Sequence, residues 1–381
     1  MQFGTKLLHS GQEIDAQTGS IQVPIYLATM FHQTDLQNPT EFDYSRSGNP
    51  TRQALEDKMA QLENGSRGLA FASGMAALSA VFMLLSQGDH LLVTRDCQGG
   101  TQRVLGRIFS RFGIEISYVD THILAEVQKA IQPNTKMILL ENFSNPFLHV
   151  SDLTAIAKLA KEANPEILIA VDNTFVTPLL QQPLDLGADI VIHSATKGIA
   201  GHADVMAGVL VVKNAELGKS LYFIQNATGG ILSPQDSYLV MRGLKTLQVR
   251  MQAAQMSALS LAHLLFDSPA IATVHYPGLT SHPEYALAQS SMRGFGNMIS
   301  FRLKSPKCLE RFVAALTLPV VGAGLGGTET MLSVPSLHCH AALSQSERDE
   351  RLIGGDLLRV SVGLEAQEDL LADFQNALSK C

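Results

Sequence analysis

Short apolar runs separated by stretches of helical spacing recur through the middle of this chain, and that alternation restricts its fold more than any other feature. A helical pattern over 52–63 leads into an apolar run at 68–72 and then a second helical pattern over 75–85. Further runs follow at 90–94, 137–140, 167–171 and 189–193, with helical stretches between several of them, such as 152–162. Apolar runs of four or five residues without polar alternation read as strands buried on both faces, which calls for helices above and below a parallel sheet. An α/β lobe over 56–235 is the expectation. Ser233-Pro234-Gln235-Asp236 reads as a helix start, with proline in the first turn and an acid near the positive end of the dipole. From there a single helical pattern runs to about residue 266 and into a smaller α+β lobe over 236–381, with strand candidates at 298–303 and 357–362. Residues 1–55, rich in Gln, Thr, Ser, Gly and Pro, read as an extended arm whose dense polar cluster spans 44–51. Two lobes suit the length, since 381 residues exceed what one core usually serves, roughly 100–200 residues per domain.

Composition narrows the function classes. Charged residues make up 17% of the chain, against about 25% in a typical soluble domain, so much of the surface is expected to be buried, between subunits included. With 28 Lys and Arg against 35 Asp and Glu, nothing forces a basic face for a nucleic acid. The four cysteines lie far apart without a CxxC pair, which disfavours a disulfide framework and suggests a reducing compartment. The amino terminus lacks an apolar signal segment, and no window reaches the ~18 apolar residues of a membrane span, so a cytoplasmic protein is expected. No metal is expected either: His338-Cys339-His340 offers ligands at i and i+2, but the sequence marks no further partner. Gly322-Ala323-Gly324-Leu325-Gly326-Gly327 has the spacing of a dinucleotide loop, yet Pro335 follows and no βαβ pattern does.

In an open parallel sheet, ligands gather where the carboxyl ends of strands emerge, so the polar residues directly after apolar runs are the ones to inspect. Ser73-Gly74-Met75 joins a strand to a helix and places free backbone N–H groups around a small anion. Asp172 emerges from a run too apolar to solvate a carboxylate, so it needs a cationic partner or strong hydrogen bonds, or else its pKa rises; a protonated ring nitrogen would suit it. Lys197 follows another such run in a Gly-rich loop, where desolvation favours the neutral, nucleophilic amine, while Ser194 and Thr196 offer hydroxyls toward an anion. Asn145, in Glu141-Asn142-Phe143-Ser144-Asn145-Pro146, can donate to a ring hydroxyl oxygen. A lysine, a carboxylate and a helix-end anion site at the exits of one sheet are the parts that hold pyridoxal 5′-phosphate. His193 and His202 flank the lysine and are read as supporting hydrogen-bonding groups.

The segments Tyr44 to Thr51, Ser73-Gly74-Met75, Val171-Asp172-Asn173-Thr174-Phe175, His193 to Gly208, Tyr276-Pro277-Gly278-Leu279 and Leu358-Arg359-Val360-Ser361-Val362-Gly363 closely resemble the pyridoxal-phosphate enzymes of cysteine and methionine metabolism. That family includes cystathionine γ-lyase, cystathionine γ-synthase, methionine γ-lyase and the O-acylhomoserine sulfhydrylases. The resemblance implies the type I fold of pyridoxal-phosphate enzymes: a mostly parallel seven-stranded sheet flanked by helices, with a smaller α+β carboxy-terminal domain. It further implies that Lys197 forms the Schiff base and moves protons, that Asp172 holds the ring nitrogen, and that Gly74, Met75, Ser194 and Thr196 bind the phosphate. By the same resemblance Arg359 grips the α-carboxylate of an amino-acid substrate, a role its bidentate fork suits. Tyr44 and Arg46 would reach the phosphate of a neighbouring subunit in a homotetramer built as a dimer of dimers.

Two segments depart from the family. Gln98, in Asp96-Cys97-Gln98-Gly99-Gly100-Thr101, stands where a tyrosine normally stacks on the cofactor ring, and an amide cannot titrate near neutral pH. Proton transfer then falls to Lys197, to Tyr44 or to no residue, and in the last case leaving groups that depart readily as anions are favoured. Ala323 stands where cystathionine-handling members tend to place glutamate, which argues against cystathionine, and Gly324 replaces a serine near the carboxylate pocket. Arg103 matches a position able to bind a distal carboxylate. The expected activity is elimination or replacement at the γ carbon of an L-amino acid. A methionine- or homocysteine-type γ-lyase ranks first, a synthase or sulfhydrylase second, and a γ-lyase releasing a group such as halide third.

Overall fold

In the computed structural model, which describes residues 1–11, 14–35, 37–341 and 343–381, the apolar runs assemble into one seven-stranded sheet. Its strands are β1 (Arg67–Phe71), β2 (His90–Thr94), β3 (Glu115–Val119), β4 (Thr135–Glu141), β5 (Leu168–Asp172), β6 (Ile190–His193) and β7 (Gly208–Val212), in the spatial order β1-β7-β6-β5-β4-β2-β3. The strands β2 to β6 pair in parallel, whereas β7 runs antiparallel to both β1 and β6. Two of the seven were not read from the apolar runs. Edge strand β3 has an exposed Glu115 and a half-buried Ser117 among its residues, so it lacks the continuous apolarity of an inner strand. Strand β7 is fully buried but opens on Gly208, the end of the Gly-rich loop.

The period of two in a strand sends alternate side chains to opposite faces, and the two faces carry separate cores. Leu92, Ile138, Leu140, Ile169, Val171, Val191, Val209 and Val211 pack on one side, with the helices Pro50–Leu62, Leu153–Ala163 and Pro234–Leu244. Leu91, Val93, Met137, Leu139, Ala170, Ile190, Ile192, Leu210 and Val212 pack on the other, with Gly74–Phe82, Gly99–Arg107 and Ala215–Thr228. Ser233 caps its helix by accepting from the Asp236 N–H at 3.0 Å. The long helical pattern after it is two helices, Pro234–Leu244 and Leu247–Asp267, interrupted at Lys245-Thr246. Arg250 reaches back across the interruption to the carbonyls of Gly243 and Gly198, each at 2.8 Å, and so ties the second helix to the loop that carries Lys197.

A second sheet of five strands, β8 (Ile271–His275), β9 (Met298–Leu303), β10 (Val320–Val321), β11 (Met331–Ser333) and β12 (Leu357–Ser361), is ordered β10-β11-β12-β9-β8. Its core includes Phe301, Phe312, Val360 and Phe374, packed with Leu261 and Leu265 of helix Leu247–Asp267. The amino-terminal segment is not extended throughout. Phe3–His9 is helical and buries Leu7 in the core of the larger sheet, while Ile14, Ile21, Leu27 and Met30 are exposed. Among the described residues, no helix is long and apolar enough to cross a membrane.

Candidate active site

The register of the larger sheet brings the site together. Continuing the alternation past the last apolar residues puts Glu141 of β4 and Asp172 of β5, which are paired in register, on the face covered by helix Gly74–Phe82. His193 falls on the opposite face, where its Nε2 lies 2.6 Å from Glu63 Oε1 in a fully buried pair. The loops leaving β1, β4, β5 and β6 surround one cavity, lined by both apolar and polar side chains.

Lys197 enters this cavity from a turn in which its N–H donates to the Ser194 carbonyl at 3.1 Å. Burial, and then the nearby Arg359, lower its pKa, so a larger share of the amine is neutral. Asp172 also lines the cavity and accepts from the Thr174 N–H at 3.0 Å. Burial raises its pKa, opposed by the Thr174 hydrogen bonds and by His193, and no ion pair within 4.0 Å reaches it among the described residues. A carboxylate so placed is short of a positive partner.

Ser73 adopts an extended conformation and caps helix Gly74–Phe82, its Oγ accepting from the Ala76 N–H at 3.1 Å. The N–H groups of Gly74 and Met75, in the first turn, find no acceptor among the described residues and are free for an anion. Glycine is required here by close approach: a Cβ on Gly74 would lie 2.8 Å from Ser194 Cβ. Gly74, Met75 and Ser194 line the cavity, whereas Ser73 itself is spent on its cap. Thr196 exchanges hydrogen bonds with the backbone of Ala207 and faces an adjoining cavity shared with Gly324 and Lys197.

Across the cavity stands Arg359 of β12, 2% exposed, whose Nη1 donates to Asn145 Oδ1 at 2.7 Å. Its guanidinium lies 5.8 Å from the Phe175 ring centre. Gln98 lines the rim, but its Oε1 turns back to cap helix Gly99–Arg107, accepting from the N–H groups of Gly100 at 2.6 Å and Thr101 at 3.2 Å. Ala323 lies on the same rim. Besides Ser73, Thr196 and Gly324, three further residues singled out by the sequence stay outside this chain's cavity: Arg103 is exposed on its helix, Tyr44 is 41% exposed, and Arg46 donates to the Asn226 carbonyl at 2.7 Å.

Besides Thr174, which bonds Asp172, two polar residues of the cavity went unassigned in the sequence. Glu141 accepts from the Gln98 N–H at 2.7 Å, and burial followed by the neighbouring Asp172 raises its pKa well above the ordinary carboxylate value. The rule that found Asp172, the first polar residue after an apolar strand, would have found it. Cys339 has its thiol 3.1 Å from His340 Nδ1 and 3.7 Å from Arg359 Nη1, on a turn whose distance in sequence hid its place in the site. The neighbouring GxGxxG loop opens no helix. It packs on the Lys197 loop, where a Cβ on Gly326 would meet Gly198 N at 2.5 Å.

The sequence profile described as Cys/Met metabolism PLP-dependent enzyme matches residues 4–379. This chain belongs to that family. It is 49% identical over 376 residues to the cystathionine β-lyase MetC of Bacillus subtilis, covering 99% of this chain and 96% of that protein. With the cystathionine γ-lyase of the same organism the identity is 47% over 378 residues, covering 99% of both. A solved structure of cystathionine γ-lyase from Lactobacillus plantarum, complexed with L-serine, superposes with a TM-score of 0.97 at 44% identity, covering 100% of this chain and 99% of that one. The chain is therefore an enzyme of the type I pyridoxal-phosphate fold that carries out elimination or replacement on an amino acid, as a carbon–sulfur lyase type. Pyridoxal 5′-phosphate fits what the cavity offers: an amine held partly neutral, a buried acid lacking a cation, and two free amides at a helix start.

Proposed function

We propose that this enzyme cleaves the carbon–sulfur bond of a thioether amino acid, cystathionine before methionine or homocysteine, by elimination. The observation that carries the reading is the single cavity in which Lys197, Asp172 and Arg359 converge. The names of the relatives move cystathionine ahead of the order that Ala323 suggested. Ala323 offers no carboxylate to a distal ammonium, and the acids that share the adjoining cavity with Lys197, Asp204 and Glu329, are the candidates to meet it.

When bound, pyridoxal 5′-phosphate supplies an electron sink for negative charge developing at the substrate α carbon. Asp172 would hold the ring nitrogen, and Gly74, Met75, Ser194 and Thr196 would bind the phosphate, with Ser73 orienting the helix start. Arg359, aimed by Asn145, would take the α-carboxylate, and Asn145 would also meet the ring hydroxyl. Lys197 would remove the α proton and return it beyond Cα. Gln98 cannot protonate the departing sulfur, which leaves Lys197, Tyr44 or Glu141 to do so. Tyr44 and Arg46, outside their own chain's cavity, would complete that of a neighbour in a homotetramer, and Arg103 would meet a distal carboxylate. The division into an arm (1–55), a cofactor lobe (56–235) and a carboxy-terminal lobe (236–381) belongs to the same proposal. So does a cytoplasmic location, in keeping with four free cysteines.

The test is a substrate panel of cystathionine, homocysteine, methionine and O-acylhomoserine with and without thiol. Pyruvate with homocysteine reports cleavage on the β side, and 2-oxobutanoate with cysteine reports cleavage on the γ side. Arg359→Lys is expected to raise KM for cystathionine about 10- to 100-fold, the loss of a charge-assisted hydrogen bond worth about 1.5–3 kcal/mol. Faster thiol addition to O-acylhomoserine than elimination from any thioether would overturn the proposal.

A further inference from the structure

Among the described residues outside the cofactor cavity, one group of side chains gathers metal-ligating atoms at short range. His122 lies in the turn after β3, His149 in the loop after β4, and Glu284 at the start of helix Tyr285–Ser291. Each presents one ligand atom, and the three atoms lie within 4.8 Å of one another. His149 Nδ1 is 3.3 Å from Glu284 Oε2, and the His122 and His149 rings stack with centres 4.0 Å apart. We propose that His122, His149 and Glu284 bind a divalent transition-metal cation, with zinc the best match.

Two imidazoles and one carboxylate suit a borderline cation, whereas magnesium and calcium prefer all-oxygen surroundings. Three protein ligands leave a fourth position for water or an exogenous donor. The side chains of His149 and Glu284 are 26% and 14% exposed, so a cation can reach them from solvent.

The backbone beneath the ligands is held in place. Thr121, beside His122, and Ser151, two residues beyond His149, share a hydrogen bond at 2.8 Å, and Thr121 also bonds Thr94 at 2.9 Å. The Glu284 N–H donates to His282 Nδ1 at 3.3 Å, which sets the start of its helix. Tetrahedral coordination with bonds near 2.0–2.1 Å places ligand atoms about 3.4 Å apart. The widest pair must therefore close by at most about 1.4 Å, and the stacked rings must tilt to converge on one ion.

The site also bears on the substrate pocket. The His149 loop is closed by two hydrogen bonds to Ser144, and between those residues lies Asn145, the partner of Arg359. A cation on His122, His149 and Glu284 fastens that loop to the segment between β8 and β9, steadying Asn145.

The test uses the full chain loaded with pyridoxal 5′-phosphate and stripped of metal by dialysis against a chelator. Zinc is titrated by calorimetry, and cobalt(II) by its visible absorption bands. One equivalent per chain is expected, with affinity reduced tenfold or more in His122→Ala and in the nearly isosteric Glu284→Gln. His263→Ala, an exposed histidine on helix Leu247–Asp267, should leave it unchanged. The absence of a saturable equivalent, or one whose affinity survives both His122→Ala and Glu284→Gln, overturns the proposal.

Discussion

Gly208→Ala should damage the cofactor site from behind. Gly208 opens β7 opposite Phe71 of β1, and a Cβ added there would lie 2.1 Å from the Ser73 carbonyl oxygen, 2.5 Å from its carbon and 2.9 Å from Gly74 Cα. All three are backbone atoms, so no side chain can swing aside. Carbon and oxygen approach to about 3.3 Å at closest without strain, so something must move by about 1.2 Å. The strand is held on both sides, by β1 and by β6, whereas the Ser73-Gly74 turn faces the cavity. The turn yields, and with it the free amides of Gly74 and Met75. Overpacking of this kind costs about 1–3 kcal/mol, and a displacement near 1 Å at a binding group can cost on the order of a hundredfold. Titrating pyridoxal 5′-phosphate into the resolved protein, followed by absorbance, should show a dissociation constant raised tenfold or more, with a lower unfolding midpoint. Gly355→Ala, whose added Cβ meets nothing within 4 Å, is the control. Should Gly208→Ala behave like that control in both measurements, the phosphate site does not depend on this approach.

Acid should destabilise the enzyme through its buried histidines. Burial pushes His340 and His275 down to about 4, so between 6.5 and 4 the unfolded chain binds protons that the folded one does not. Their contribution is fully present above pH 6.5 and is lost as pH falls toward 4, by up to about 3 kcal/mol each. Urea midpoints at pH 7 and 4.5 measure the loss, and His340→Gln should show a smaller drop; an equal drop refutes the assignment to His340. Gln98→Tyr restores a titratable hydroxyl but removes the cap on helix Gly99–Arg107, at about 1 kcal/mol. It should shift relative rates tenfold or more toward thioethers over esters and halides, and unchanged ratios across that series would count against a role in leaving-group protonation.

What the sequence alone determined is whatever short-range pattern encodes. Apolar runs marked β1, β2, β4, β5 and β6 to within a residue or two, because strands buried on both faces are predominantly apolar. The same contrast exposed Asp172 and Lys197, each the polar break after such a run. Where that contrast fades, the pattern fell silent, as at edge strand β3 and at the interruption over Lys245-Thr246, across which Arg250 reaches back to Gly243 and Gly198. Only the tertiary structure decided what meets across long separations. It set Arg359 against Asn145, turned Gln98 into a helix cap, put Cys339 and Glu141 in the cavity, kept Tyr44 and Arg46 out of it, and drew His122, His149 and Glu284 together. Such encounters follow from how strands order in a sheet and how two lobes pack, and no local spacing of residues carries that information.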